Sequence, residues 1–223
     1  MMSDRIVDFH EPVTLVGGGD ADAGQLRLAL SLAPVLLAAD GGANMAVAEG
    51  LTPELVIGDL DSATAKTLAA IPPERHMKVT EQESTDFEKC LARIVAPFIL
   101  GLGFMGPRAD HGLAAWNALI RHSGRRCILL GAKDLAFAAP ARLALDLEPG
   151  TRLSLFPMAR VTGQSQGLRW PIDGLVLAPD ARIGVSNEVE GPVTLTFDGP
   201  GMLVILPVSC LAEAIRALRS KPC

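Results

Sequence analysis

The sequence lacks the features that would assign it to several common protein classes. It has only four cysteines in 223 residues, Cys90, Cys127, Cys210 and Cys223, and no two of them stand at the spacing of metal ligands. Lys and Arg number 20 against 25 Asp and Glu, so the formal net charge is −5. No cluster of basic residues suits a nucleic-acid backbone. We therefore expect neither a cysteine-based metal site nor a nucleic-acid partner.

Long hydrophobic segments are also missing. No uncharged apolar run approaches the ~18 residues of a membrane span, so we expect no membrane association. Residues 1–10 contain acids and no apolar stretch typical of a signal peptide. We expect a cytoplasmic protein with reduced thiols, in which Cys90 and Cys127 are small core residues. With 49% hydrophobic residues, the chain suffices for one large domain or two small ones.

The most informative stretch, residues 35–62, contains two apolar runs that each lead into aspartate. The first run reads as a buried strand and is followed by Asp40 and two glycines. The second leads into Asp59 and Asp61, which point the same way in an extended segment. Three carboxylates at two strand ends are costly unless a cation lies among them. The pattern therefore predicts a site for a hard divalent ion, with Mg²⁺ as the natural candidate.

Glycine-rich turns follow two other predicted strands. Gly17–Gly19 could let the backbone approach a ligand, but a tight turn explains these glycines equally well. The second turn carries Arg108, which suits phosphate, and Asp110, which we expect to cap a helix over 113–121. His111 is as consistent with an ordinary surface histidine as with a ligand contact. The alternation of strands and helices predicts parallel, right-handed β-α-β units.

Asp86 stands at a predicted strand-to-helix junction. Thr85 and Glu88 form a capping-box pattern, and apolar positions spaced over 87–95 predict a helix. Asp86 then lies in the first turn, where complementing the helix dipole explains it on position alone. The polar residues before it, such as Gln82, favour a further role at a functional site.

The pattern changes from about residue 140, where short apolar runs alternate with Gly and Pro. Such spacing predicts antiparallel strands. We therefore expect an α/β domain with a mainly parallel sheet over 1–139 and an all-β sandwich over 140–223. We expect a helix at 211–218 and no helix longer than two turns between 145 and 208. The segment 183–188 reads as an ordinary turn.

A series of segments, in order along the chain, resembles the thiamin pyrophosphokinase family. They are LVGGGD, ADGGAN, IGDLDS, STDFEKCL, GPRADH, LRWPIDGLVL and GVSNE. The resemblance implies a homodimer with active sites between subunits, each chain having an α/β domain and a β-sandwich. It also implies transfer of the pyrophosphoryl group of ATP to the hydroxyl of thiamine, with Mg²⁺, giving thiamine diphosphate and AMP.

The resemblance further implies roles for individual residues. Those assigned to Mg²⁺ are Asp40, Asp59, Asp61 and Asp86. Asp86 would also orient or deprotonate the attacking hydroxyl, with Asp59 and Asp61 sharing in catalysis. The expected contacts with ATP or thiamine are Gly18, Gly41, Gly42, Asn44, Gln82, Thr85, Lys89, Arg108, Asp110, His111, Ser186 and Asn187. Among these, Lys89 and Arg108 would offset phosphate charge, and Ser186-Asn187 resemble the contact to the thiamine pyrimidine.

Two segments depart from the family pattern. Glu81 stands where the family often has aspartate, and GPRADHG differs from the commoner GGRLDHT at Pro107, Ala109 and Gly112.

Two alternative functions remain open on the sequence. A related ATP-dependent transferase for another alcohol would share the aspartates and differ at Ser186-Asn187. A regulator that binds Mg-ATP without turnover would have no need of Asp86, so the presence of this residue argues for an enzyme.

Overall fold

The computed structural model describes residues 6–106 and 108–220. Cys223 and Pro107 lie outside these ranges. The chain divides into two compact units, the first comprising 1–118 with 129–131 and the second 119–128 with 132–223. The expected functional boundary at 139/140 stays a prediction.

The first unit is built on a parallel β-sheet with helices between its strands. Its elements are β1 (Val7–Asp8), β2 (Val13–Val16), α1 (Ala23–Leu32), β3 (Val35–Ala39), α2 (Gly42–Ala48), β4 (Leu55–Gly58), α3 (Ala65–Ala69), β5 (His76–Lys78), α4 (Asp86–Arg93), β6 (Ile94–Val95) and β7 (Ile99–Leu102). Two further elements, α5 (Ala109–Arg121) and β8 (Cys127–Leu130), include residues of both units.

The central sheet of this unit has the strand order β7-β2-β3-β4-β5, and every neighbouring pair is parallel. Strands β2, β3 and β7 are buried along their whole length, as expected for parallel strands that are covered on both faces. Because all five strands run in the same direction, the loops after them meet at one edge of the sheet. The predicted α/β fold with a mainly parallel sheet is therefore confirmed.

Two predicted helix limits in this unit are wrong. The helix expected over 87–95 ends at Arg93, because the β-branched Ile94 and Val95 form β6 and pair in parallel with β1. Helix α5 begins at Ala109, so Asp110 lies in its first turn instead of capping it.

The second unit is an antiparallel β region followed by a helix. Its remaining elements are β9 (Asp134–Ala138), β10 (Arg142–Leu145), β11 (Arg152–Pro157), β12 (Val161–Leu168), β13 (Val176–Leu177), β14 (Gly184–Phe197), β15 (Met202–Pro207) and α6 (Leu211–Arg219). The strands follow the order β9-β15-β11-β14-β12-β13, and β10 also pairs with β14. The early part of the long strand β14 pairs with β11, and its later part pairs with β10 and β12.

The antiparallel region and the terminal helix agree with the prediction from sequence. Within the described ranges, no helix longer than two turns occurs between 145 and 208, as expected. The turn expected over 183–188 is wrong, because Gly184 onwards belongs to β14 and pairs with β11. The local irregularity is instead confined to Ser186, which has φ of 59°. None of the described helices combines the length and apolar character needed to cross a membrane.

Candidate functional site

A cavity of about 680 Å³ opens at the edge of the first unit where the parallel strands end. In sheets of this kind, ligands bind beyond the carboxyl ends of the strands. The predicted site residues that line it are Gly18, Gly41, Asn44, Asp59, Asp61, Gln82, Thr85, Asp86, Lys89, Arg108 and His111. This space is called the aspartate cavity below. The fold thus brings together residues that lie up to 93 positions apart in the sequence.

Asp40 lies beneath this cavity, directly after β3, and is only 1% exposed. Its carboxylate accepts hydrogen bonds from the backbone N–H groups of Ser62 (3.3 Å) and Ala63 (3.0 Å). Burial raises the pKa of Asp40 to about 6, against the lowering effect of the Ser62 N–H, and the negative charge of Asp86 adds to the increase. Asp40 therefore connects the end of β3 to the loop after β4.

Asp59 and Asp61 lie beside Asp40, as predicted from their spacing. Each of the three residues has a carboxylate oxygen within 4.8 Å of such an oxygen of the other two. The side-chain amide of Gln82 donates to Oδ2 of Asp59 (3.0 Å) and lowers the pKa of Asp59 to about 2. Asp59 is therefore ionised near neutral pH. Three convergent carboxylates are the oxygen donors that Mg²⁺ prefers, so the residues present fit this ion.

Asp86 is not one of these three clustered residues, although it lines the same cavity. It is the first residue of α4, and Thr85 caps the helix by accepting a hydrogen bond from the N–H of Glu88 (3.3 Å). A Cβ at Gly58 would lie 3.2 Å from Oδ1 of Asp86 and 2.7 Å from Cβ of Asp40. A glycine at position 58 therefore allows both aspartates to approach the end of β4.

Lys89 has a contact that the sequence did not predict. Its ammonium group is 3.1 Å from Oδ1 of Asp86 and 3.6 Å from Oδ2 of Asp59, and its side chain is only 3% exposed. Burial alone would lower the pKa of Lys89, but its hydrogen bond and ion pair with Asp86, together with the charge of Asp59, raise the pKa above its usual value. Lys89 is thus a permanent cation within the acidic site. The contact with Asp86 could have been inferred from the sequence, because residues three apart in a helix lie next to each other.

The loop before α4 is organised by Glu81, the residue that departs from the family pattern. Its carboxylate accepts hydrogen bonds from the hydroxyl of Ser84 and from the N–H groups of Glu83 (2.8 Å) and Ser84 (3.1 Å). The Ser84 hydroxyl lowers the pKa of Glu81. Glu81 therefore maintains the shape of the loop that carries Gln82 and Thr85.

Two expected ligand contacts have structural roles. The amide of Asn44 donates to the carbonyl of Ser62 (3.0 Å) and accepts from the N–H of Thr64 (2.9 Å), fixing the loop that follows Asp61. Gly42 starts α2 and does not line the cavity; a Cβ there would lie 2.0 Å from the carbonyl oxygen of Val16. For Gly42, close packing therefore accounts for the glycine.

The second glycine-rich turn leads to an exposed ion pair. Arg108 and Asp110 form two hydrogen bonds of 2.6 and 3.2 Å, and both side chains are 66% exposed. Arg108 lowers the pKa of Asp110 to about 2. Arg108 and His111 line the aspartate cavity, whereas Asp110 does not. Asp110 therefore orients the Arg108 guanidinium.

The remaining predicted pair, Ser186 and Asn187, belongs to the second unit. The side chain of Asn187 is largely occupied: it donates to the carbonyl of Trp170 (2.7 Å) and accepts from the N–H groups of Trp170 (3.2 Å) and Glu188 (2.9 Å). Ser186 is exposed, and its N–H donates to the hydroxyl of Ser154 (3.0 Å). Asn187 thus connects β14 to the segment that contains Trp170.

Comparisons with known proteins identify the same family in both parts of the chain. Residues 26–129 match the catalytic domain of thiamin pyrophosphokinase, and residues 142–201 match its vitamin B1 binding domain. Together the two matches cover more than half of the chain. The chain is 29% identical over 161 residues to thiamine pyrophosphokinase 1 of Oryza sativa subsp. japonica, covering 62% of this chain and 60% of that protein. It is 28% identical over 208 residues to thiamine pyrophosphokinase 3 of the same plant, with coverages of 74% and 76%.

Solved structures of similar proteins share the fold. Thiamin pyrophosphokinase from Geobacillus thermodenitrificans superposes with a TM-score of 0.70 at 20% identity, covering 87% of this chain and 96% of that chain. The protein from Candida albicans gives a TM-score of 0.73 at 13% identity, with coverages of 91% and 93%. These similarities extend to the α/β part and the antiparallel part alike.

Proposed function

The chain belongs to the thiamin pyrophosphokinase family, and on this basis we propose that it is a thiamine diphosphokinase. It transfers the pyrophosphoryl group of ATP to the hydroxyl of thiamine, giving thiamine diphosphate and AMP. The observation that carries the proposal is that Asp59 and Asp61 line one cavity together with Asp86 and cluster there with the buried Asp40. A cavity of about 680 Å³ falls within the ~300–1,000 Å³ range typical of small-molecule sites.

The proposed metal ligands are Asp40, Asp59 and Asp61, with Asp86 as a further ligand on the open side. These carboxylates would hold Mg²⁺, whose positive charge would offset the negative charge of the phosphate oxygens. The N–H groups of Ser62 and Ala63 hold the Asp40 carboxylate in a fixed orientation. The aspartates are thereby positioned before the substrate arrives, which is the main contribution of protein in phosphoryl-group transfer.

The role of Asp86 is to accept a hydrogen bond from the thiamine hydroxyl. The hydroxyl oxygen forms a bond to the β-phosphorus of ATP, and the bond between that phosphorus and the oxygen bridging to the α-phosphate breaks. The electron pair of that bond leaves with AMP, and the hydroxyl proton passes to Asp86. The ammonium group of Lys89 lies 3.1 Å from Oδ1 of Asp86 and holds this carboxylate in place.

The other predicted contacts complete the two substrate sites. Arg108 and His111, with Gly18 after β2 and Gly41 after β3, bind the phosphates and ribose of ATP. Ser186 and Asn187 bind the thiamine pyrimidine, with Asn187 acting through the backbone geometry it maintains at Trp170.

The protein is proposed to be a homodimer with its active sites at the subunit interface. Trp170, Ile183 and Val185 of the second unit are 54%, 40% and 51% exposed, and apolar side chains exposed so near to Ser186 fit a partner surface. A cytoplasmic location is proposed because Cys90, Cys127 and Cys210 are free thiols, which suits a reducing compartment.

The alternatives make different predictions in one coupled assay for AMP. A thiamine diphosphokinase releases AMP from Mg-ATP only when thiamine is present. A transferase for another alcohol releases AMP with that alcohol and not with thiamine, and a nucleotide-binding regulator releases none. Size-exclusion chromatography with light scattering tests the dimer separately.

A further inference from the structure

A second cavity lies entirely within the second unit and takes no part in the proposed reaction. Its volume is about 510 Å³, again within the range of small-molecule sites. It is bounded by the turn 123–126, by the start of β10, the middle of β12 and the end of β14, and by helix α6. This space is called the arginine cavity below.

The lining of the arginine cavity is basic, although the chain as a whole is acidic. Arg125, Arg126 and Arg142 all line it, and among the residues that the structure describes no Asp or Glu does, whereas the whole chain carries a net charge of −5. Arg126 and Arg142 are exposed. Within the described ranges, neither guanidinium is hydrogen-bonded or ion-paired with another residue. Two uncompensated guanidinium groups, those of Arg126 and Arg142, attract an anion.

Strand pairing places polar side chains in a row along one wall of this cavity. Thr196 of β14 lies opposite Arg142 of β10 on one side and opposite Gln164 of β12 on the other. Residues directly opposite one another in a sheet lie on the same face, with Cβ atoms ~5 Å apart. A guanidinium, a hydroxyl and an amide are therefore held side by side on a rigid sheet.

The neighbouring residues of β10 and β14 show toward which face of the sheet these polar side chains point. Leu143 and Leu195 are paired across β10 and β14, and both are buried. Because side chains alternate between the two faces of a strand, Arg142 and Thr196 point away from this apolar layer. The turn that carries Arg125 and Arg126 also lines the cavity, and within it the N–H of Arg125 donates to the carbonyl of His122 (2.7 Å).

We propose that the arginine cavity binds a small organic molecule bearing a phosphate or diphosphate group. Guanidinium groups form paired hydrogen bonds to phosphate oxygens, and the hydroxyl of Thr196 and the amide of Gln164 supply further donors. The volume exceeds what inorganic phosphate needs, and the exposed Pro140 and Ala141 provide apolar surface for the rest of the molecule. This site lies outside the proposed reaction and does not depend on it.

Binding is tested by NMR on the uniformly ¹⁵N-labelled full chain, titrated with inorganic pyrophosphate in excess EDTA. EDTA removes divalent ions, so the acidic aspartate cavity has no metal with which to hold the anion. The expected result is saturable shifts of the amide signals of Gly124, Arg126 and Thr196. The variant Arg142→Gln is expected to weaken the affinity about tenfold or more, because a charge-assisted contact is lost. The control Arg182→Gln makes the same charge change at an exposed position of the same unit and leaves the affinity unchanged.

Citrate, a carboxylate anion of similar charge, is the comparison ligand, and it is expected to bind more weakly than pyrophosphate. The proposal is overturned if these three amides show no saturable shift, if Arg142→Gln binds pyrophosphate as well as the control, or if citrate binds equally well. Since the titration involves no turnover, its result does not depend on whether the chain proves to be a thiamine diphosphokinase.

Discussion

The ammonium nitrogen of Lys89 lies 3.1 Å from Oδ1 of Asp86, at a position where the lysine side chain is only 3% exposed. A lysine rarely becomes so buried without a charged partner, and here the same ammonium group also approaches Asp59 at 3.6 Å. The acidic site therefore contains its own cation, which stabilises the carboxylates in the absence of a divalent ion.

Replacing this cation should destabilise the metal-free protein. We expect Lys89→Met to lower the free energy of unfolding in EDTA by about 1–3 kcal/mol, less than for a fully buried pair because Asp86 is 36% exposed. Saturating Mg²⁺ should recover part of that loss, so the variant should show a larger Mg²⁺-dependent rise in Tm than the wild type. Thermal unfolding with and without Mg²⁺ measures both effects.

The control for this prediction is Lys66→Met, which removes an exposed lysine from helix α3. It should change neither Tm nor the response to Mg²⁺. An equal response to Mg²⁺ in Lys89→Met and Lys66→Met would show that Lys89 does not compensate the acidic site.

The two aspartates after β4 are expected to be essential for activity and dispensable for folding. Asp59→Asn or Asp61→Asn should abolish most of the AMP release while far-UV circular dichroism stays unchanged, since both lie at the edge of the cavity. Each variant should also lose most of the stabilisation by Mg²⁺, which for the wild type is about 2.7 kcal/mol at a hundredfold excess over Kd. Asp180→Asn, at an exposed loop position, serves as the matched control. Full turnover at saturating Mg²⁺ would remove the altered residue from the metal site.

Substitution of Asp86 distinguishes a role in helix stability from a role in catalysis. If the side chain only complemented the dipole of α4, Asp86→Asn would cost about 0.3–1 kcal/mol of stability and leave turnover nearly intact. Because Asp86 lines the aspartate cavity, we expect a fall in kcat of at least ~10²-fold. The Tm should also fall, because the buried Lys89 keeps only its contact with Asp59. Paired thermal unfolding and steady-state AMP release on one preparation measure the two quantities.

The same helix turn provides the control for Asp86. Glu88→Gln removes another first-turn acid, and Glu88 does not line the cavity. It should therefore leave kcat unchanged, and its effect on stability should be no larger than that of Asp86→Asn. A lowered Tm with full activity in Asp86→Asn would assign Asp86 to the helix alone.

The pair Ser186 and Asn187 should respond differently to truncation. Asn187→Ala removes a 6% exposed amide whose bonds connect β14 to Trp170, so it should destabilise the fold by about 1–3 kcal/mol and raise the KM for thiamine. Ser186→Ala removes an exposed hydroxyl and should raise that KM with little change in Tm. Chemical denaturation and thiamine titrations on both variants test this. An unchanged KM in both would place thiamine recognition elsewhere.

Much of the fold follows from local sequence patterns. The mainly apolar run of β2 and the fully apolar run of β3 predict buried parallel strands, and the Gly- and Pro-punctuated runs after residue 140 predict the antiparallel region. The C-terminal end of α4 could not be predicted from the sequence, because the apolar spacing that continues through Ile94 and Val95 suits a helix as well as a strand. Pairing with β1, which is distant in sequence, decides between them.

The site was predictable in its residue types and less so in its contacts. The acids after β3 and β4 could be grouped because parallel strands end at one edge of the sheet. The burial of Lys89 and the use of Asn44 and Asn187 as backbone clamps depend on tertiary contacts, with no signal in sequence spacing alone. The row of Arg142, Thr196 and Gln164 likewise appears only when strand register is known.

The most direct test of the proposed function is AMP release from ATP by the purified full chain, measured with and without thiamine and with Mg²⁺ or EDTA. The account predicts AMP together with an equal amount of thiamine diphosphate when thiamine and Mg²⁺ are both present, and background release when either is left out. AMP release that does not depend on thiamine, or its absence with both substrates and Mg²⁺ supplied to folded protein, would contradict it.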